Sequence, residues 1–285
     1  PKMMKRMLAP LALLSLPLLT TAQDLPAPSP AAKVEQRIGL TDVTVEYSRP
    51  SMKGRKIFGD LVPFNEVWRT GANKATILTT NGPIMLEGKE LPAGKFSVFA
   101  VPYEGGAWEV IFNRNTELWG AYDRKETDDV LRMKCPVREA QTTETFTIGF
   151  DNVGTDQADL VFRWEKTEAY LTLKVDSKTA AIKNITTAIA DPKADYRTYA
   201  RSASYYLDND LGLEKALEWA QKSVTLEKKY WNTFTLAKAQ AASGKFADAV
   251  TNGEQAVELA KAEKDDGAAK SYGEKVAEWK ANKGK

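Results

Sequence analysis

The chain of 285 residues contains no histidine and a single cysteine, Cys135. Without histidine, the serine–histidine and cysteine–histidine pairs of nucleophilic catalysis cannot form within the chain. Metal sites that depend on imidazole ligands are excluded for the same reason, and one cysteine cannot form a disulfide within one chain. We therefore predict no metal site and no cofactor. Any chemistry has to use the side chains of Asp, Glu, Lys, Arg, Tyr, Ser or Thr.

The sequence also lacks an excess of either charge, because 40 Lys and Arg stand against 38 Asp and Glu and give a net charge of +2. This balance argues against a nucleic-acid partner, which would favour a strongly basic chain. Hydrophobic residues make up 43% and charged residues 27% of the sequence. Such a composition is typical of globular proteins.

The one long apolar run stands near the N-terminus, at residues 7–19, after the basic residues Lys2, Lys5 and Arg6. Small residues follow the run and end at Ala22. A basic start, a short apolar core and a small-residue site predict a secretory signal peptide at residues 1–22. We expect cleavage near Ala22, a periplasmic or secreted location, and no membrane span after cleavage, since no later segment is apolar enough.

Two regions of different periodicity follow the predicted signal peptide. Residues 23–33 carry three alternating prolines and are predicted to form an extended spacer. Residues 34–176 alternate apolar and polar side chains and contain turn signals at hairpin spacing, which predicts an all-β sandwich of jelly-roll-like type. Residues 95–101 are apolar on both faces and should form a central strand.

The pattern changes to a helical period in residues 177–285, where we expect six helices. Apolar positions repeat at a constant offset, as Leu213 and Ala216 correspond to Phe246 and Ala249. This offset is close to the period of tetratricopeptide repeats, which is about 34 residues. We predict an all-α region of tetratricopeptide-like hairpins, which serves either as a packed cap or as a docking surface for a partner.

Several short motifs in the β region resemble one bacterial family. They are YSRP at 47–50, GRKIFG at 54–59, VWRTGAN at 67–73, GK at 88–89, PAG at 92–94, WEV at 108–110 and WG at 119–120. Together they are similar to the secreted family catalogued as domain of unknown function 2911. The resemblance covers about residues 34–175, and the run WRTGAN is its most specific part. It implies an exported β domain, and it implies no activity and no catalytic residues.

The segment from residue 49 to residue 73 contains the candidate site, because long irregular connections on a β scaffold often hold binding residues. Arginine offers a planar fork for carboxylate, phosphate or sulfate, and tryptophan offers a stacking face. A second cluster at residues 119–124 could join this site. The candidate ligand-binding residues are Arg49, Arg55, Trp68, Arg69, Asn73, Trp119 and Tyr122.

The same residues also permit a purely structural interpretation. Arg69 could form an ion pair with Glu66 or Asp60, and Trp68 could close the end of the sandwich. We predict a non-catalytic protein of the cell envelope that binds a ligand or partner, such as an envelope protein or a glycan. The alternative is a histidine-free enzyme of lyase or glycosidase type that acts on a glycan, with Tyr122 or a carboxylate as acid or base. This alternative requires Tyr122, Asp123 or Glu66 to face Arg69.

Overall fold

A computed structural model describes residues 25–282 of the chain. The predicted signal peptide, residues 1–22, lies outside the described residues. The chain divides into two compact units between Lys174 and Val175, a β unit and a helical unit. This arrangement confirms the predicted fold class, a β-sandwich domain followed by an all-α domain. None of the helices in residues 25–282 combines the length and the hydropathy that crossing a bilayer requires.

The β unit contains ten strands within the described residues. They are β1 (Ala31–Ile38), β2 (Thr41–Ser48), β3 (Thr76–Thr80), β4 (Ile84–Leu86), β5 (Lys89–Leu91), β6 (Gly94–Val101), β7 (Trp108–Asn113), β8 (Asp129–Cys135), β9 (Val137–Asp151) and β10 (Gln157–Lys174). Six strands form one antiparallel sheet in the order β1-β2-β3-β6-β7-β8, and four form a second in the order β5-β4-β10-β9.

The two sheets pack face to face because alternate residues of their strands are apolar. Val43, Val45 and Tyr47 of β2 are buried, whereas the residues between them are not. The Tyr47 hydroxyl donates to the Ile148 carbonyl and accepts from the Ile148 amide, which joins the first sheet to the second. Strand β6 lies between β3 and β7, as its apolar faces predicted.

Strand β1 begins three residues earlier than the sequence indicated, at Ala31, inside the segment predicted to be a spacer. The reason is pairing with β2, in which Ala31 lies opposite Ser48 and Lys33 opposite Glu46. The short side chains of Ala31 and Ala32 carry no periodic signal of their own, so only the partner strand reveals this part of β1.

The helical unit contains six helices within the described residues. They are α1 (Ser177–Ala190), α2 (Tyr196–Asp208), α3 (Leu213–Leu226), α4 (Tyr230–Ala242), α5 (Phe246–Ala262) and α6 (Asp266–Asn282). Each of α2 to α5 packs against the next helix in the chain, and α2 also contacts α4. Asp195 caps α2, since its carboxylate accepts from the Thr198 amide at 2.9 Å.

Candidate functional site

Two irregular connections of the β unit meet and form the candidate site. The first connection, residues 49–75, joins β2 to β3, and the second connection, residues 114–128, joins β7 to β8. The Ala75 amide donates to the Leu118 carbonyl at 3.0 Å and ties the two together. Val67 of the first and Ala121 of the second pack against the same buried cluster on β6 and β7, which contains Phe99, Val101 and Ile111.

Trp68 anchors the first connection to the sandwich. Its backbone amide and carbonyl pair with Ala100 of β6, both at 2.8 Å. Its ring stacks on Trp164 with centroids 5.9 Å apart and meets the edge of Phe146 at 5.1 Å. The Trp68 indole also donates to the Gly71 carbonyl at 3.2 Å. Trp68 therefore packs on aromatic side chains of the second sheet and also forms one wall of the site.

The residues after Arg69 are held by the fold. Thr70 is fully buried with φ +51°, and its hydroxyl donates to the Val98 carbonyl. Gly71 has φ +148°, and a Cβ there would lie 2.9 Å from the Ser48 carbonyl oxygen, so only glycine fits. Asn73 donates to the Ser29 carbonyl and the Ser48 hydroxyl, both at 3.3 Å.

Arg69 differs from these neighbours, because its guanidinium has no hydrogen-bond acceptor and no ion-pair partner in the described part of the chain. Its Nε is buried and has no hydrogen-bond acceptor among the residues that the structure describes. The predicted pairing with Glu66 or Asp60 is absent among residues 25–282. A buried donor without an acceptor costs about 1–3 kcal/mol. Folding alone therefore does not explain this guanidinium.

Arg69 faces a cavity of about 430 Å³, here called the Arg69 cavity. Cavities of roughly 300–1,000 Å³ are typical of small-ligand sites. The charged residues of its lining are Arg55, Glu66 and Arg69. The other lining residues are Ser29, Pro50, Leu61, Val62, Pro63, Val67, Trp68, Gly71, Ala72, Ala121, Tyr122 and Trp164.

Gly120 determines how the second connection approaches Arg69. It has φ +120°, and a Cβ there would lie 3.2 Å from Tyr122 Cδ2 and 3.4 Å from Arg69 Nη1. The Tyr122 ring and the Arg69 guanidinium therefore both lie close to this glycine. Tyr122 itself is 91% exposed, so its ring face is open to a ligand.

Four of the seven predicted ligand-binding residues line this one cavity, and three do not. Arg55, Trp68, Arg69 and Tyr122 belong to the lining. The Arg55 guanidinium donates to the carbonyls of Met52 and Ser51, at 2.9 and 2.7 Å, and has no carboxylate partner in the part of the chain that the structure describes.

Arg49, Asn73 and Trp119 are outside the lining, for different physical reasons. Arg49 reaches the second sheet, where its guanidinium donates to the Phe146 carbonyl at 3.0 Å and the Thr147 hydroxyl at 2.7 Å. Asn73 is engaged with Ser29 and Ser48, as described above. Trp119 precedes Gly120 and is 65% exposed on the surface of the second connection.

Among the residues proposed as acid or base, Glu66 and Tyr122 share the lining with Arg69, whereas Asp123 does not. Sequence analysis missed Ser29 and Trp164 as wall residues. Trp164 lies on β10 and reaches the site only because the second sheet packs under Trp68. For Ser29, the prolines around it indicated a spacer, and no local signal marks its contact with Asn73. Residues 25–282 contain no group of three or more Cys, Asp or Glu side chains suited to holding a metal ion.

The fold and the site define a β-sandwich unit with a cavity formed by two surface connections. A comparison with protein families gives a match over residues 29–173 to the family described as "Protein of unknown function (DUF2911)". The match spans half of the chain and includes both connections, and the chain belongs to this family. No curated protein and no solved structure matches the chain.

Proposed function

We propose that the protein is an exported binding protein of the cell envelope, whose Arg69 cavity holds a small anionic ligand. The observation that carries the proposal is the guanidinium of Arg69, which has no partner within residues 25–282 and faces a cavity of ligand size. The polar neighbours Thr70 and Asn73 have partners within the fold. An anion on Arg69 would supply the charge that the described residues do not supply, through strong charge-assisted hydrogen bonds.

Thermal unfolding of the purified protein against a panel of anions tests this proposal. The panel contains acetate, sulfate, inorganic phosphate and acidic oligosaccharides. A ligand at roughly 100 times its dissociation constant stabilises the folded state by about 2.7 kcal/mol, which raises the unfolding midpoint by several degrees. We expect such a shift with at least one anion. If none of the anions raises the unfolding midpoint, the proposal is contradicted.

Three variants assign the shift to the site. Arg69→Gln removes the charge and should abolish the shift, and Arg69→Lys keeps the charge but loses the planar fork and should weaken it. Arg114→Gln is the matched control, because Arg114 is exposed outside the cavity and forms no ion pair within residues 25–282. A shift that survives in Arg69→Gln would place binding elsewhere.

A histidine-free enzyme is the second candidate, favoured by the presence of Glu66 and Tyr122 in the same lining as Arg69. The exposure of Tyr122 favours binding instead, because proton transfer gains most in a site that excludes water. Mass spectrometry of acidic and neutral polysaccharides after incubation with the protein distinguishes the two. We expect no cleavage products. Cleavage that Tyr122→Phe or Glu66→Gln abolishes would establish the enzyme.

For the helical unit we propose a tetratricopeptide-like arrangement. Helices α2 and α4 begin at Tyr196 and Tyr230, and helices α3 and α5 begin at Leu213 and Phe246. Both offsets agree with the period of that repeat, which is about 34 residues. The Lys238 ammonium of α4 contacts the Asp208 carboxylate of α2 at 3.0 Å, which joins equivalent helices of successive hairpins.

The proposed export rests on residues 1–22 and has its own test. We expect mass spectrometry of the protein recovered from the periplasm or medium to show a chain that begins at Gln23. A chain that keeps residues 1–22 would contradict cleavage at Ala22.

A further inference from the structure

We propose that the ligand of the Arg69 cavity is an acidic sugar, a uronate, whose carboxylate binds Arg69 and whose ring lies against Tyr122. This inference rests on the proposed function, since it names the chemical class of the anion. It is carried by three observations: the charges of the lining, the position of Tyr122 beside Arg69, and the size of the cavity.

The charges of the lining favour a ligand with a single negative charge. Arg55 and Arg69 each contribute one positive charge and Glu66 one negative charge, so the lining carries a net charge of +1. A phosphate group carries about −1.5 to −2 at neutral pH, which exceeds this charge and meets repulsion from Glu66. A carboxylate carries one charge and is planar, so it matches the fork of Arg69.

Glu66 adds a requirement for hydrogen-bond donors on the ligand. Its carboxylate is exposed and forms no ion pair within the described residues, and an ionised carboxylate only accepts hydrogen bonds. Sugar hydroxyls are suitable donors. A ligand that combines one acid group with hydroxyls therefore satisfies both Arg69 and Glu66.

Tyr122 supplies the surface for the ring. Its ring atom Cδ2 and the Nη1 atom of Arg69 lie 3.2 and 3.4 Å from one point, the position of a Cβ at Gly120. The two atoms are therefore separated by no more than the sum of these two distances. One sugar ring with an attached carboxylate can span that separation. An exposed aromatic face beside a charged group is suited to the apolar face of such a ring.

The volume of the site agrees with a short oligosaccharide. The cavity measures about 430 Å³, which is larger than acetate or sulfate requires and lies within the range of small-ligand sites. Leu61, at 43% exposure, adds an apolar surface at the cavity. The additional volume can hold a neighbouring sugar of the same chain.

Isothermal titration calorimetry of the purified protein tests the inference with matched ligands. The probes are aldotriouronate, a trisaccharide with one uronate, its methyl ester, which keeps the rings and removes the charge, a trisaccharide with one sulfate, acetate and inorganic phosphate. We expect aldotriouronate to bind at least about tenfold more tightly than each of the others, because the ester loses the charge-assisted contact, sulfate lacks the planar match to Arg69, and acetate and phosphate lack the sugar ring. Equal or tighter binding of the sulfated sugar would overturn the inference.

Variants connect this preference to the named side chains. Arg69→Gln should weaken aldotriouronate binding by about tenfold or more. Tyr122→Ala should weaken it severalfold, whereas Tyr122→Phe, which keeps the ring, should not. Tyr103→Ala is the control, since Tyr103 is an exposed tyrosine outside the Arg69 cavity. An unchanged affinity in Tyr122→Ala would contradict the position of the ring.

Glu66→Gln tests the role of this carboxylate through an expected increase in affinity, which a folding defect cannot produce. Removal of this negative charge should increase the affinity for inorganic phosphate relative to aldotriouronate, which carries a single negative charge. If the ratio of the two affinities does not change, the role of Glu66 is contradicted. If acetate and phosphate bind through Arg69 as tightly as aldotriouronate, the inference fails and the proposed function stands. If no anion binds, or if Arg69→Gln has no effect on binding, the inference and the proposed function both fail.

Discussion

The guanidinium of Arg69 lies close to Gly120, since a Cβ at position 120 would stand 3.4 Å from Arg69 Nη1. The same Cβ would lie 3.2 Å from the Tyr122 ring. The contact with Tyr122 is tighter than ordinary van der Waals packing and the contact with Arg69 is at its limit, so the Tyr122 ring would have to move. Gly120 thus controls how closely the two side chains that the proposed ligand touches can approach each other.

We predict that Gly120→Ala reduces both stability and ligand binding. The backbone at φ +120° disfavours any side chain, and a strained residue costs on the order of 1–3 kcal/mol. Displacement of Tyr122 or Arg69 should also weaken anion binding severalfold. Chemical unfolding and calorimetry measure the two effects separately.

Gly105→Ala is the matched control for this variant. Gly105 also has a positive φ, +64°, but a Cβ there meets nothing within 4 Å. This control should lose about 1–2 kcal/mol of stability through backbone strain and keep full affinity. If both variants bind equally well, Gly120 does not position the site.

Thr70→Val should destabilise the β unit by about 1–3 kcal/mol. Valine keeps the branched shape at φ +51°, so the backbone strain is unchanged and only the hydroxyl is lost. The Thr70 hydroxyl donates to the Val98 carbonyl in a fully buried place. Denaturant unfolding measures the change. Thr44→Val is the control, because Thr44 is a half-buried residue of β2 whose hydroxyl has no partner in residues 25–282. This variant should leave the free energy of unfolding nearly unchanged.

Periodicity predicted much of the fold because each element buries one face. Helices α3 and α5 begin at Leu213 and Phe246, two of the repeated apolar positions, because apolar residues recur at helical spacing after Gly212 and again after Gly244. The alternation of Val43, Val45 and Tyr47 with polar residues is typical of β2 for the same reason. Strand β1 was placed too late because its first residues are short and its pairing partner lies in another strand.

The candidate site could be predicted only in part, because partners decide what an arginine does. Arg49 and Arg69 lie in the same stretch of sequence, yet Arg49 donates to the Phe146 carbonyl of the second sheet and Arg69 has no acceptor in the described chain. No local pattern separates these outcomes. The contact between Gly120 and Arg69 likewise joins two connections that are far apart in sequence.

Glu168→Gln should destabilise the β unit by about 1–3 kcal/mol, because it removes a buried charge that two arginines share. Glu168 is 4% exposed, and its carboxylate accepts from Arg138 Nε at 2.7 Å and from Arg163. Thermal unfolding measures the effect. Glu35→Gln is the control, because the side chains of Glu35 and of its partner Lys33 are each more than half exposed. This ion pair should contribute about 0–1 kcal/mol to the free energy of unfolding.

The helical unit should lose stability in acid through the caps of its helices. Three aspartates cap helices, and a hydrogen bond from a backbone amide holds the pKa of each carboxyl below its ordinary value. The amide of Thr179 donates to Asp176, that of Thr198 to Asp195 and that of Ala268 to Asp265. A lowered pKa in the folded state stabilises the fold at pH values above the ordinary pKa of about 3.9. This contribution disappears as the pH falls through the lowered pKa.

Circular dichroism at the helical band, recorded during unfolding between about pH 5 and pH 2, measures this dependence. In the described residues, every α-helix lies in the helical unit, so the signal reports that unit. The triple variant D176N/D195N/D265N keeps a capping acceptor, because asparagine is a good N-cap, but removes the titrating groups. We expect its midpoint to fall less steeply with pH than that of the unmodified protein. Asp210→Asn is the control, because Asp210 is exposed and caps no helix in the described residues, and it should leave the slope of the midpoint against pH unchanged. If the triple variant has the same slope as the unmodified protein, the caps are excluded as the cause of the acid sensitivity.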